Sequence, residues 1–199
     1  SMGVPIRRLI LATNENNVLE EFFTTGIYRP RSAEDTLATS SPSMDISKAS
    51  NLERFIWALL GPEAFVQCWA ELESTGTLDL RDQLPRLGED FGFVAGTSSH
   101  DDRLKTIRSV KERSGRLIDP HTADGVTVAL RTMEPGFPTL VMETAKAAKF
   151  PQTVAEALGT EPETPAVIAD LLARPQKVET IDNEEAPLRH LIEERALTS

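Results

Sequence analysis

Hydroxyls, carboxylates, an imidazole and lysines recur in this sequence where an apolar run gives way to a helix start. Thr144 follows the run Leu140-Val141-Met142 and precedes Lys146 and Lys149. A hydroxyl there stands where open α/β sheets place ligands, at the carboxyl ends of strands. A lysine could act as a Schiff-base amine only if desolvated, and Lys146 and Lys149 read as solvated helix residues. Asp119-Pro120-His121-Thr122 is a helix start, with Asp119 as N-cap and Pro120 at the first helical position. His121 and Thr122 then occupy the first turn, where the helix dipole favours a neutral imidazole. The same residues suit plain capping with a surface histidine. Gly96-Thr97-Ser98-Ser99 lies between a strand and a helix, where a phosphate could sit. It lacks the multiple glycines of a phosphate-cradling loop, and capping by Ser98 or Ser99 with Asp101 or Asp102 explains it adequately. Ser40-Ser41-Pro42-Ser43-Met44-Asp45-Ile46, with Ser50, Asn51 and Arg54 behind it, groups hydroxyls, helix-start N–H groups and a guanidinium. That set suits an oxyanion, although spacing alone favours a turn-rich loop followed by a cap. No second His or Cys stands at metal-ligand spacing from His121, so no metal site is expected.

These groups need strands feeding helices to position them. Arg7–Thr13 reads as a buried parallel strand. Asn14 is expected to cap the helix that follows, with Gly26 as its stop. Residues 29–49 form a long irregular segment, of a kind that is usually functional or mobile. Ser50-Asn51-Leu52-Glu53 reads as a capping box for a helix to about Leu60. Pro62 opens a second helix, and Leu78–Leu87 reads as a short one interrupted at Pro85. Phe91–Ala95 is a second strand, followed by a charged helix closed at Gly115. A helix over His121–Met133, a strand over Thr139–Glu143 and a helix over Pro151–Leu158 come next. Pro165–Ala173 and Pro187–Leu197 are the last helices. Short strands alternating with longer helices predict an α/β fold, a largely parallel sheet flanked by helices.

Composition bounds what such a fold can do. A chain of 199 residues can bury about 70% of its unfolded surface without a metal or disulfide staple. Its net charge of −10 argues against nucleic acid or an anionic membrane as partner, since phosphate backbones need a basic footprint. Cys68, the single cysteine, cannot form an internal disulfide, which suits a reducing, cytoplasmic setting. No apolar run reaches the length of a membrane span. Ser1-Met2 reads as a cloning scar before a Gly3-Val4-Pro5 that looks like mid-protein sequence. A truncated chain is therefore expected.

Taken together, the stretches ILATNENNVLEEFFTTGIY, SPSMDIS, SNLERFIWALLG, AGTSS, DPHTADGV and TAKAAKFPQTVAEALG resemble the threonine synthases. These are pyridoxal-phosphate enzymes of the tryptophan-synthase-β fold type. The resemblance runs in family order from Gly3 to about Gly159. It implies the C-terminal part of a fold-type II large domain over residues 3–160, with 161–199 as a helical extension packed on it. It implies a parent that converts O-phosphohomoserine and water to threonine and phosphate, with the cofactor as electron sink. Thr144 matches the threonine the family offers to the cofactor's pyridine nitrogen. Asp119, His121 and Thr122 look like its DPHTA element, and Ser43, Asp45, Ser50, Asn51 and Arg54 look like segments bordering the substrate. Where the family reads TAHPAKF, this chain has Lys146 and Ala147 in place of His and Pro.

The family's cofactor-linking lysine and its phosphate loop both lie upstream of the matched stretches. No catalytic residue is therefore expected within this chain, and the chain alone is expected to be inactive, part of an active parent. Its expected partners are the missing N-terminal part, O-phosphohomoserine in the whole enzyme, and further copies of itself through exposed apolar faces. The alternative is a non-catalytic α/β module that binds a phosphorylated metabolite or a protein partner.

Overall fold

The structure, a computed structural model, describes residues 3–196. The Ser1-Met2 reading and the expected helix end at Leu197 lie outside the described residues. The chain divides into two compact units, Ser1–Glu163 and Thr164–Ser199.

In the first unit the elements run β1 (Leu9–Thr13), α1 (Val18–Thr25), β2 (Ile27–Tyr28), α2 (Leu52–Leu60) and α3 (Pro62–Thr75). They continue with β3 (Leu78–Asp79), α4 (Leu84–Glu89), β4 (Phe93–Thr97), α5 (His100–Ser114), α6 (Pro120–Thr132) and α7 (Pro151–Leu158). β1 and β4 pair in parallel, from Leu9 opposite Phe93 to Thr13 opposite Thr97. The α/β expectation holds: a small parallel pair on which α1 and α6 pack. β2 and β3 form a separate antiparallel pair.

The amphipathic faces of α1 and α2 create the main core. Val18, Phe22, Tyr28, Ile56, Leu72 and Leu78 are buried together, and each full burial of such a side chain is worth about 1.5–3 kcal/mol. Phe23, Phe55, Phe91 and Phe93 stack beside it in tilted and edge-on pairs. A second cluster, Leu104, Ile107, Ile118, Ala123 and Ala157, joins α5, α6 and α7. β4 lies close on α6 because residue 96 is glycine: a Cβ there would come within 2.9 Å of Val128 Cγ1.

Several expected elements take another form. Thr139–Glu143 is irregular and pairs with no strand among the described residues. Its apolar side chains lie outside the core, with Leu140 88% and Met142 77% exposed. Leu78–Leu87 breaks into β3, a 3-10 turn and α4, because Leu78 pairs back with Tyr28. α1 begins at Val18 rather than just after Asn14, which is drawn into a buried network instead. The expected capping box at Ser50–Glu53 does not form. Asn51 sits in right-handed helical backbone, and the start of α2 carries no side-chain cap.

The second unit carries α8 (Ala166–Ala173) and α9 (Glu185–Ala196). None of its described residues is buried, and Val167, Ile168 and Leu171 of α8 are exposed. Among all described residues no helix is long and apolar enough to cross a membrane, and no cluster of His, Cys, Asp and Glu could hold a metal ion.

Candidate functional site

β1 and β4 end side by side, with the Thr13 and Thr97 hydroxyls 3.1 Å apart. The chain beyond β1 is polar and buried. Asn14 is fully buried. Its amide donates to Asp45 Oδ1 at 2.8 Å and to Thr39 Oγ1 at 2.9 Å. Asn16 donates to the same Asp45 oxygen at 3.0 Å. The Thr39 hydroxyl and backbone N–H donate to Asp45 at 2.7 and 2.8 Å. A carboxylate accepting this many bonds is a strong anchor, and it pins the irregular segment 39–45 to the carboxyl end of the parallel pair. Pro42–Met44 forms a 3-10 turn within that segment.

α6 brings up the second half of the site. The Asp119 carboxylate caps it by accepting the His121 N–H at 2.9 Å, and it also meets His121 Nδ1 at 2.8 Å. The Thr122 hydroxyl donates to its other oxygen. His121 Nε2 accepts the Ser43 N–H at 3.0 Å. Because Nε2 is an acceptor, Nδ1 carries the ring proton and donates to Asp119, which fixes a neutral tautomer. Burial works to raise the Asp119 carboxyl, but hydrogen bonds from His121 and Thr122 overcome it and hold it below the usual carboxylate range. Phe150 packs on the imidazole with ring centroids 4.7 Å apart.

Between the Pro42–Met44 turn, α6 and the segment 139–144 lies a cleft of about 410 Å³. Ile10, Ala12, Ala129 and Val141 give it apolar walls, and Ser43, His121 and Thr144 give it polar edges. Gly125 lets the segment approach α6, since a Cβ there would meet Val141 Cγ1 at 3.0 Å. Ser43, His121 and Thr144 thus come together at one cleft. Asp119 and Thr122 are buried behind His121, and Asp45 anchors the lip from the strand end. Ser50, Asn51 and Arg54 sit apart from the cleft lining, at the exposed start of α2, where Arg54 donates to Asn51. Thr144 itself is exposed, and Lys146 is exposed and paired with Glu143 at 2.7 Å. Ser99 caps α5 with Asp102 in a reciprocal capping box, so Gly96–Ser99 serves as a strand end and a cap.

The family described as "Threonine synthase, C-terminal" matches residues 122–192. A threonine synthase of Methylobacillus glycogenes is 48% identical over 197 residues, covering 97% of this chain and 41% of that protein. That of Corynebacterium glutamicum is 47% identical over 204 residues, with 100% and 42% covered. The crystal structure of a PLP-bound threonine synthase from Brucella melitensis superposes with a TM-score of 0.83 at 36% identity, covering 97% of this chain and 40% of that one. A yeast threonine synthase superposes with a TM-score of 0.81 at 28% identity, with 98% and 43% covered. The chain is thus similar to the threonine synthases, and its residues 122–192 to their C-terminal family model. The chain spans about two-fifths of the length of the curated relatives it matches.

Around this cleft, the buried charged residues escaped the sequence reading. Arg103, fully buried, donates from Nε to Ser40 Oγ at 2.9 Å and from Nη1 to Ser41 Oγ at 3.1 Å. It pairs with Asp124 at 3.1 Å and, through Nη2, with both Glu15 oxygens at 2.8 Å. His100 bridges Ser40 at 2.7 Å and Glu156 at 2.9 Å. Burial, the largest influence, pushes the Asp124 carboxyl up to about 6 against the pull of Arg103. A polar run directly after an expected strand, Asn14-Glu15-Asn16, was a signal that could have located this network. Arg103 offered none, since it stands among ordinary charged helix residues.

Proposed function

We propose that this chain forms one wall of a threonine synthase active site, in a longer protein that converts O-phosphohomoserine and water to threonine and phosphate with pyridoxal phosphate. The observation that carries this is the cleft beside β1, lined by Ile10 and Ala12 and edged by Thr144 and His121, in a chain that superposes on a PLP-bound threonine synthase. The residues present fit one side of the cofactor. Apolar walls suit an aromatic ring, and the hydroxyl of Thr144, an exposed residue at the cleft edge, suits a pyridine nitrogen. When bound, the cofactor supplies an electron sink for the carbanions of the reaction.

The residues of this chain do the positioning. Thr144 offers a neutral hydroxyl at the ring edge. The neutral His121, held by Asp119, keeps the Ser43 backbone at the cleft lip and presents no cation there. Asp45 and its donors hold the same lip from behind. The remaining three-fifths of the relatives' length is assigned the cofactor lysine and the phosphate loop. The exposed Leu140 and Met142 are surface for that remainder to cover, and for self-association in its absence. The single thiol suits a cytoplasmic setting.

The test joins this chain behind the upstream portion of the Methylobacillus glycogenes relative. The joined protein is expected to bind the cofactor, seen by its visible absorption, and to release phosphate from O-phosphohomoserine. This chain alone is expected to do neither. Turnover by the chain alone would show that one of its own lysines serves the cofactor and would overturn the proposed division. A folded but inert joined protein would favour a non-catalytic metabolite-binding module.

A further inference from the structure

Arg103 is a fully buried arginine that does not line the cleft, yet its donors are spent in an ordered way. Glu15 and Asp124 balance its charge and set the plane of the guanidinium. With the plane fixed, Nε and Nη1 are aimed at the hydroxyls of Ser40 and Ser41. An isolated buried cation would cost several kcal/mol, so the guanidinium stays where its partners are. The fork geometry cannot be reproduced by lysine.

Ser40 and Ser41 sit directly before the Pro42–Met44 turn, whose Ser43 and Met44 line the cleft. The turn closes on Ser41 itself, through the Met44 N–H donating to the Ser41 carbonyl at 3.0 Å. The segment has little apolar anchorage of its own: Pro42, Ser43 and Ile46 are exposed, whereas Ser41 is fully buried. Its position is therefore set by polar bonds at both ends: before the turn, Arg103 on Ser40 and Ser41 with Asn14 also donating to Ser41 Oγ at 3.2 Å, and after it Asn14 with Asn16 on Asp45. Arg103 comes from α5, which the Ser99 cap starts and which packs against α6 and α7.

We propose that Arg103 is a positioning residue: by holding the Ser40 and Ser41 hydroxyls, it fixes the Pro42–Met44 turn as the lip of the cleft. Its bearing on turnover rests on the functional reading above; its hold on the lip does not.

Hydrogen exchange on this chain tests the hold directly. In Arg103→Lys, and independently in Ser41→Ala, the amides of Ser43, Met44 and Asp45 should exchange about 10-fold faster or more, matching the loss of one charge-assisted hydrogen bond. The amides of β1 and β4 should stay within about 2-fold, as expected for local rather than global opening. Unchanged lip amides, or all amides accelerating together, overturn the proposal. In the joined enzyme, either variant should raise KM for O-phosphohomoserine about 10-fold while kcat falls less than about 3-fold, the pattern of lost substrate placement. A fall in kcat at constant KM would mark a merely structural role and overturn the proposal. If the unsubstituted joined enzyme is inert, the functional reading fails, and the exchange experiment still decides the hold on the lip.

Discussion

The imidazole of His121 accepts the backbone N–H of Ser43, with 3.0 Å between the nitrogens. The residues are 78 apart in sequence, yet this bond joins the first turn of α6 to the lip of the cleft. It also dictates protonation. An imidazolium would set one N–H against another, so the lip keeps this position only while His121 is neutral. Asp119 completes the arrangement by accepting the hydrogen bond from Nδ1–H.

Replacing His121 with leucine should therefore act at both ends of that bond. The Asp119 carboxylate loses a donor in a buried site, and the Ser43 N–H loses its acceptor. An unfulfilled buried polar group costs about 1–3 kcal/mol. Urea denaturation of His121→Leu is expected to show a loss in this range, with faster exchange at Ser43. A loss confined to exchange, with stability unchanged, would mean that water replaces the imidazole on Asp119.

Asp124 predicts a pH dependence with a definite sign. Its folded carboxyl titrates at about 6, and in the unfolded chain an aspartate titrates near the ordinary value of about 3.9. Between these values the folded chain holds a proton that the unfolded chain has lost. This group's contribution to stability is therefore largest below about pH 4, declines as pH rises to about 6, and is flat above. Between pH 7 and pH 5 the wild type should gain about 1 kcal/mol relative to Asp124→Asn. Asp102, held at about 2, acts in the opposite sense, but only as pH falls below about 4. Urea midpoints of the two proteins at both pH values check this. A constant difference would show that Arg103 keeps Asp124 ionised throughout.

Gly96 is expected from the sequence to follow a strand and open a stretch before Ser98-Ser99 where a phosphate could sit; in the structure it lies within β4, opposite Ala12, and has a packing role. An alanine Cβ would lie 2.9 Å from Val128 Cγ1. Val128 is buried at 1% exposure and is β-branched on a helix, so its rotamer has little freedom to yield. Gly96→Ala should cost about 1–3 kcal/mol through overpacking, read as a lowered urea midpoint with unchanged slope. An unchanged midpoint would mean that β4 and α6 separate freely.

The parts of this fold legible in the sequence are those set by neighbouring residues. Asp119-Pro120 and Ser99 with Asp102 were readable as helix starts because a cap bonds within a few residues. The same was true of the apolar runs that became β1 and β4. Thr139–Glu143 was misread because an apolar run specifies a strand only when a partner strand lies beside it. Asn14 was misread as a cap because its actual partners, Thr39 and Asp45, are 25 and 31 residues away. Ser43, His121 and Thr144 were each singled out by type, but nothing local told that they share one cleft while Ser50, Asn51 and Arg54 stand apart from its lining. Arg103 and Asp124 were invisible for the opposite reason. A charged residue on a helix is normally solvated, and only the assembled fold shows that these are buried against one another.

Thr144 separates the cofactor reading from any effect on folding. Its side chain is exposed at the cleft edge, so substitution there should change stability by no more than about 0.5 kcal/mol. Thr144→Val keeps the shape and removes the hydroxyl. In the protein joined to its upstream portion, cofactor affinity should fall about 10-fold, the value of one hydrogen bond to the ring nitrogen. Thr144→Ser keeps the hydroxyl and should stay within about 3-fold of wild type. Titration of the cofactor's visible absorption measures both. Equal affinity in Thr144→Val and wild type would remove Thr144 from the cofactor site. It would leave the His121 and Ser43 lip as the part of this chain that faces the reacting molecules.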